Sequence, residues 1–134
     1  MRGNPFSYAI YRLVPRLDRG EQINVGVVVF CRPLGYLGAR TGLDAGRAHA
    51  LWPSLDLGSV QAHLEAIERI AAGAEQGGPI ARLQPTERFH WLVAPSSTII
   101  QPSAVHTGLC GDPGEQLARL FGELVEHRAQ GGSA

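Results

Sequence analysis

The chain has no lysine: all twelve basic residues are arginine, set against twelve acidic ones, so the formal net charge at pH 7 is zero. A neutral total argues against broad attraction to nucleic acid, which depends on a basic excess. Without lysine there is no Walker-type phosphate loop, and no G-x-G-x-x-G run occurs, so nucleotide binding is not expected. No stretch approaches the roughly 18 apolar residues of a membrane span, and MRGNPFSYAIYRLVP lacks the continuous apolar core of a secretory signal. The expected location is the cytoplasm, with no membrane association. Cysteine is scarce. Cys31 and Cys110 fit neither a CxxC motif nor a zinc spacing and read as reduced, buried thiols. Five histidines (49, 63, 90, 106, 127) are scattered without H-x-x-x-H or H-E-x-x-H, so no metal or cofactor is expected. A lone His63 beside an apolar helical stripe reads as packing, and His127 near a helix end as a favourable dipole partner.

What is present is globular. With 134 residues, 44% of them hydrophobic and 18% charged, the chain has the size and composition of one domain. We read residues 1–128 as that domain and 129–134 as a flexible tail. Charge is unevenly divided. Residues 1–55 hold seven Arg against three acids, and residues 56–134 hold five against nine. A GC-rich genome would produce arginine in place of lysine by codon supply alone, but a local basic cluster remains available for one anion.

SYAIYRLV (7–14) and INVGVVVFC (23–31) are apolar on both alternating faces, which suits inner strands of a hairpin covered on each side. Gly26 inside the second marks a bulge or a close approach by another element. GYLGAR (35–40) reads as a short third strand, and 41–55 as irregular. From the N-cap Asp56, the stripe Val60, Leu64, Ile67, Ala71 predicts an amphipathic helix ending at Gly77-Gly78. ERFHWLVAPSSTIIQPS reads as a second hairpin turning at Pro95-Ser96. Asp112, Pro113 and Glu115 occupy the N-cap, N1 and N3 of a last helix with Leu117, Leu120, Phe121, Leu124 and Val125 on its apolar face. The order βββ-α-ββ-α predicts an α+β fold: an antiparallel sheet of about five strands with two helices on one face.

Candidate chemistry concentrates around RGEQINVGVVVFCRP (19–33). Arg12 lies between Tyr11 and Leu13, and the hairpin returns residues 21–26 towards it. A buried charge needs a partner, so Arg12 paired with Glu21 is the architectural solution, with Asn24 tying down loop backbone. The functional reading of the same residues is an anion notch, in which a guanidinium held by Glu21 offers its free edge to phosphate or carboxylate. Arg88 and His106 would complete that site. A second cluster, His90, Ser96, Ser97, Thr98, Gln101, Ser103, His106 and Thr107, is rich in hydroxyls and imidazoles. It lacks a G-x-S-x-G elbow and reads as turn and cap chemistry. No catalytic residue is assigned.

YAIYRLVPRLDRGEQINVGVVVFC, together with RFHWLVAPSSTIIQPSAVHTGLCGDPGEQLARLFGELV, resembles a bacterial family known as domain of unknown function 3037. The marks are the strand entry GEQINVGVVVF (20–30) and the loop VHTGLCGDP (105–113). The resemblance implies a gene neighbourhood shared with HipA-like kinase proteins, and so an accessory partner rather than a self-sufficient enzyme. The expected function is a protein-interaction or regulatory module, with a kinase-like partner or a homodimer. The alternative is a ligand-binding or hydrolytic domain for a phosphorylated or carboxylated small molecule, using Arg12, Glu21, Asn24, Arg88 and His106.

Overall fold

The computed structural model describes residues 3–16, 18–96 and 98–126. Leu17, Ser97, His127 and the expected tail at 129–134 lie outside the described residues. β1 (Asn4–Leu13) and β2 (Ile23–Cys31) form the expected hairpin, and β3 (Tyr36–Thr41) pairs with the far edge of β2. On the other side of β1, β5 (His106–Cys110) covers its first half and β4 (Ile100–Pro102) its second. All pairings are antiparallel, and the five strands make an α+β fold with an open sheet.

β4 and β5 run along β1 almost as one strand interrupted at residues 103–105. Pro102 has no N–H to give the ladder. At the interruption, Ser103 substitutes its side chain: the Ile10 N–H donates to Ser103 Oγ at 2.9 Å, and the Ser103 N–H donates to the Ile10 carbonyl at 2.8 Å.

Gly26 fulfils both of its expected roles. Tyr11 pairs with Gly26 but Arg12 pairs with Asn24, so Val25 is an extra residue and β2 bulges. The bulge resets the alternation, putting Ile23 and Val25 on the same face as Val28 and Phe30. A Cβ at Gly26 would lie 3.0 Å from the Thr41 methyl and 3.2 Å from the Arg40 carbonyl.

Helices cover both faces of the sheet, which corrects the expectation of two on one face. On one side, α2 (Leu57–Ala72) and α3 (Pro85–Leu92) pack Val60, Leu64, Ile67, Phe89 and Leu92 onto Ala9, Tyr11, Leu13 and Val28. On the other, α4 (Pro113–Leu124) packs Leu117, Leu120 and Phe121 onto Phe6, Val27 and Val29. Two-sided burial is what the unbroken valine run requires. Cys31 and Cys110 are free thiols buried on the α4 side.

Four further expectations are corrected. Within 41–55 lies a short helix, α1 (Ala45–Leu51), capped by Asp44, whose carboxylate accepts from the Arg47 N–H at 3.1 Å. α2 ends at Gly73, which takes the left-handed conformation at φ 70°, rather than at Gly77-Gly78. The supposed first strand of the second hairpin is helical, because Pro85 opens α3 and Glu87 accepts from the Gln84 N–H. VHTGLC, read as loop, supplies β5. Among the described residues no helix is long and apolar enough to cross a membrane.

Candidate functional site

The polar frame at the hairpin tip closes on itself. Arg16 donates from Nε and Nη2 to Asp18 at 3.2 and 2.7 Å, and Arg19 donates likewise to Glu21 at 3.0 and 2.9 Å. The expected Arg12–Glu21 pair does not form. Gly20, in the left-handed conformation at φ 73°, lets the chain turn so that residues 19 and 21 meet locally. Arg12 meanwhile sits inside the ladder, opposite Asn24. Hydrogen bonding to the guanidinium is the main reason each carboxylate is more acidic than usual. Both pairs are exposed and so contribute little to stability. Glu21→Gln is therefore expected to change the melting temperature by no more than a few degrees in thermal denaturation. A collapse of the fold would restore the idea that Glu21 neutralises a buried arginine.

The remaining sequence candidates are spread over the molecule. Arg12 is half-buried, and its Nε is buried without a hydrogen bond to any described residue. Asn24 donates to the Leu124 carbonyl at 3.0 Å, closing the end of α4. Arg88 donates from Nη1 to the Leu83 carbonyl at 2.7 Å and from Nη2 to the Ala71 carbonyl at 3.3 Å, strapping α3 to the end of α2. His106 is exposed on β5, with its ring 5.2 Å from that of Tyr8. Of the five, only Arg12 and Asn24 are neighbours in the ladder, and the five do not converge on one pocket. Among the described residues no cluster of three or more His, Cys, Asp or Glu has the arrangement of a metal site.

Two of the molecule's surface cavities combine apolar walls with polar groups. One, of about 330 Å³, opens between α2, α3 and β4, with Tyr11, His63, Ile67, Trp91 and Ile100 in its walls. Tyr11 is buried there and donates to the Leu92 carbonyl at 2.8 Å, which joins the inner strand to α3. The second, of about 420 Å³, lies between the hairpin tip and the segment after α1. Sequence reading missed both, because each is made by the docking of segments distant in the chain.

Burial lowers the His63 pKa below its ordinary value of 6.5. The unfolded chain then binds the proton more readily than the folded one, so this residue's contribution falls as pH drops through and below about 6.5. Thermal melts at pH 7.5 and 5.5 should show a smaller acid-induced loss for His63→Gln than for the parent chain. An equal loss would remove His63 as its source.

The most exposed large apolar side chain belongs to an edge. β5 pairs with β1 alone among the described residues, and its outer backbone is open. Leu109 on that strand is 69% exposed, and Val105 just before it is 43% exposed.

These features define an α+β domain built on an open antiparallel sheet, with an exposed apolar side chain on the edge strand β5 and clefts at the hairpin tip and between α2, α3 and β4. The chain belongs to the family described as "protein of unknown function (DUF3037)", whose pattern it matches over residues 8–125. No match was found among curated proteins or among solved structures.

Proposed function

We propose that the domain is a cytoplasmic protein-interaction module that receives a segment of a partner along the outer edge of β5. The observation that carries this reading is the exposed Leu109 on an unpaired strand edge. An open edge presents a row of free backbone donors and acceptors, and native proteins ordinarily shield such edges with charge, proline or a covering element. The other outer strand illustrates such shielding. On β3, the Glu68 carboxylate of α2 accepts from the Thr41 N–H at 2.8 Å and from its hydroxyl at 2.6 Å. β5 instead offers Val105, Thr107 and Leu109 beside the open ladder, which is the geometry of strand addition: backbone bonds for affinity, alternate side chains for selectivity.

We take the partner to be a HipA-like kinase, the class of neighbour that the sequence resemblance implies. Leu109→Glu should weaken binding of such a kinase from the same genome at least tenfold in isothermal titration calorimetry. The melting temperature should be nearly unchanged, because the side chain is already in water. Undiminished binding by Leu109→Glu, or no binding by the parent chain, would refute the proposal. A second copy of the chain is the competing occupant, given the unequal charge of the two halves. Concentration- and salt-dependent dimerisation in size-exclusion chromatography, abolished by Leu109→Glu, would assign the edge to a homodimer instead.

A further inference from the structure

We propose that the cleft at the hairpin tip is a binding site for a small amphipathic organic acid, a carboxylate carried on a short aromatic or aliphatic body. The cleft of about 420 Å³ combines two kinds of surface. Its apolar walls include Leu51, Trp52 and Leu55, and its cationic side is formed by Arg16 and Arg19. These arginines are its charged lining residues, so the cleft presents guanidinium donors alone among ionised groups.

The hydrogen bonding leaves those donors usable. Asp18 takes Nε and Nη2 of Arg16, and Glu21 takes Nε and Nη2 of Arg19. Nη1 of each guanidinium therefore has no hydrogen bond to a described residue. Each fork is held by one carboxylate and has a second edge of N–H groups that fits another bidentately. Glu21 thus holds Arg19 rather than the Arg12 expected from the sequence. More than half of each arginine side chain is exposed, 57% for Arg16 and 56% for Arg19, so an incoming anion displaces water rather than protein.

Trp52 joins the two surfaces. It is only 7% exposed, and its indole N–H has no hydrogen-bond partner among the described residues. It lies near the Glu21 carboxylate and adds to the lowering of that group's pKa without reaching hydrogen-bond geometry. One aromatic residue therefore forms an apolar wall and also faces the carboxylate that orients Arg19. Asp18 and Glu21 cancel the charge of the two arginines at long range. Affinity should come from apolar contact and short-range donors, with only modest dependence on salt.

The test uses the full chain carrying Trp91→Phe, which leaves Trp52 as the single tryptophan, excited selectively over the tyrosines. 3-Phenylpropionate, phenyl phosphate and the uncharged 3-phenylpropanol are titrated against it, with calorimetry alongside. 3-Phenylpropionate should give a saturable change in Trp52 emission, and the alcohol should bind at least tenfold more weakly. Arg19→Gln and Arg16→Gln should each weaken 3-phenylpropionate, and together abolish its binding, with melting curves close to that of the parent. Tighter binding of phenyl phosphate would overturn the carboxylate assignment. No saturable change with any probe, or equal binding by the doubly substituted chain, would overturn the site.

Discussion

Phe121→Ala is expected to lower the unfolding free energy by about 3–5 kcal/mol, the usual cost of removing a buried aromatic side chain. Phe121 is buried on the α4 side of the sheet, in the cluster that contains Val27, Val29 and Leu117. Its ring also fills the space over Gly42, where an added Cβ would come within 2.9 Å, and lies 5.2 Å beneath the Arg40 guanidinium. The substitution thus opens a cavity between sheet and helix and removes a cation–π contact. Urea denaturation of the two chains measures the difference. A loss below about 0.5 kcal/mol, the surface-substitution range, would mean that α4 does not seal the second face.

Gly26→Val should cost about 1–3 kcal/mol or more, through crowding rather than lost contact. The new Cβ meets the Thr41 methyl, the Arg40 carbonyl and the Tyr11 ring, at 3.0, 3.2 and 3.4 Å. Two of the three belong to the neighbouring strand, so relief requires β3 to move away from β2. Tyr11 is fixed from its far end by its hydroxyl's bond to the Leu92 carbonyl. The bulge, the strand contact and the tie to α3 are therefore coupled, and the strain has little room to dissipate. Denaturation midpoints for Gly26→Ala and Gly26→Val, compared with the parent, should fall in that order. No loss for either would remove close approach as the reason for glycine.

The strands and helix starts that the sequence reveals are those whose cause is local. The valine run of β2 demands cover on both faces, and its glycine announces the bulge. Asp56 and Asp112 cap their helices as expected: Asp56 accepts from the Ser59 N–H at 3.2 Å, and Asp112 from the Gly114 N–H at 2.9 Å. α3 reads as a strand in the sequence because Phe89, Trp91 and Val93 fit a strand's period of two. Phe89 and Leu92, which are the buried pair, fit a helix equally well, and the deciding signals stood upstream at Pro85 and Glu87. α1 hid because GLDAGR carries turn formers, though Asp44 was its cap.

The site was less legible for a different reason. Which carboxylate a guanidinium reaches depends on angstrom-scale turn geometry, and Arg19 outcompetes Arg12 for Glu21 only because Gly20 turns the chain between them. The hairpin-tip cleft needs the segment after α1 to dock against that tip, an encounter that no spacing encodes. The open edge of β5 follows from sheet order, which was invisible while HTGLC read as loop.

Hydrogen–deuterium exchange tests the docking edge most directly. In the free chain, the amides of His106–Cys110 that point away from β1 should exchange rapidly, since no described strand covers them. Adding a HipA-like kinase from the same genome should slow those amides while leaving the β1–β2 ladder as it was. Protection appearing at other surfaces with β5 unchanged, or no added protection anywhere, would contradict the account.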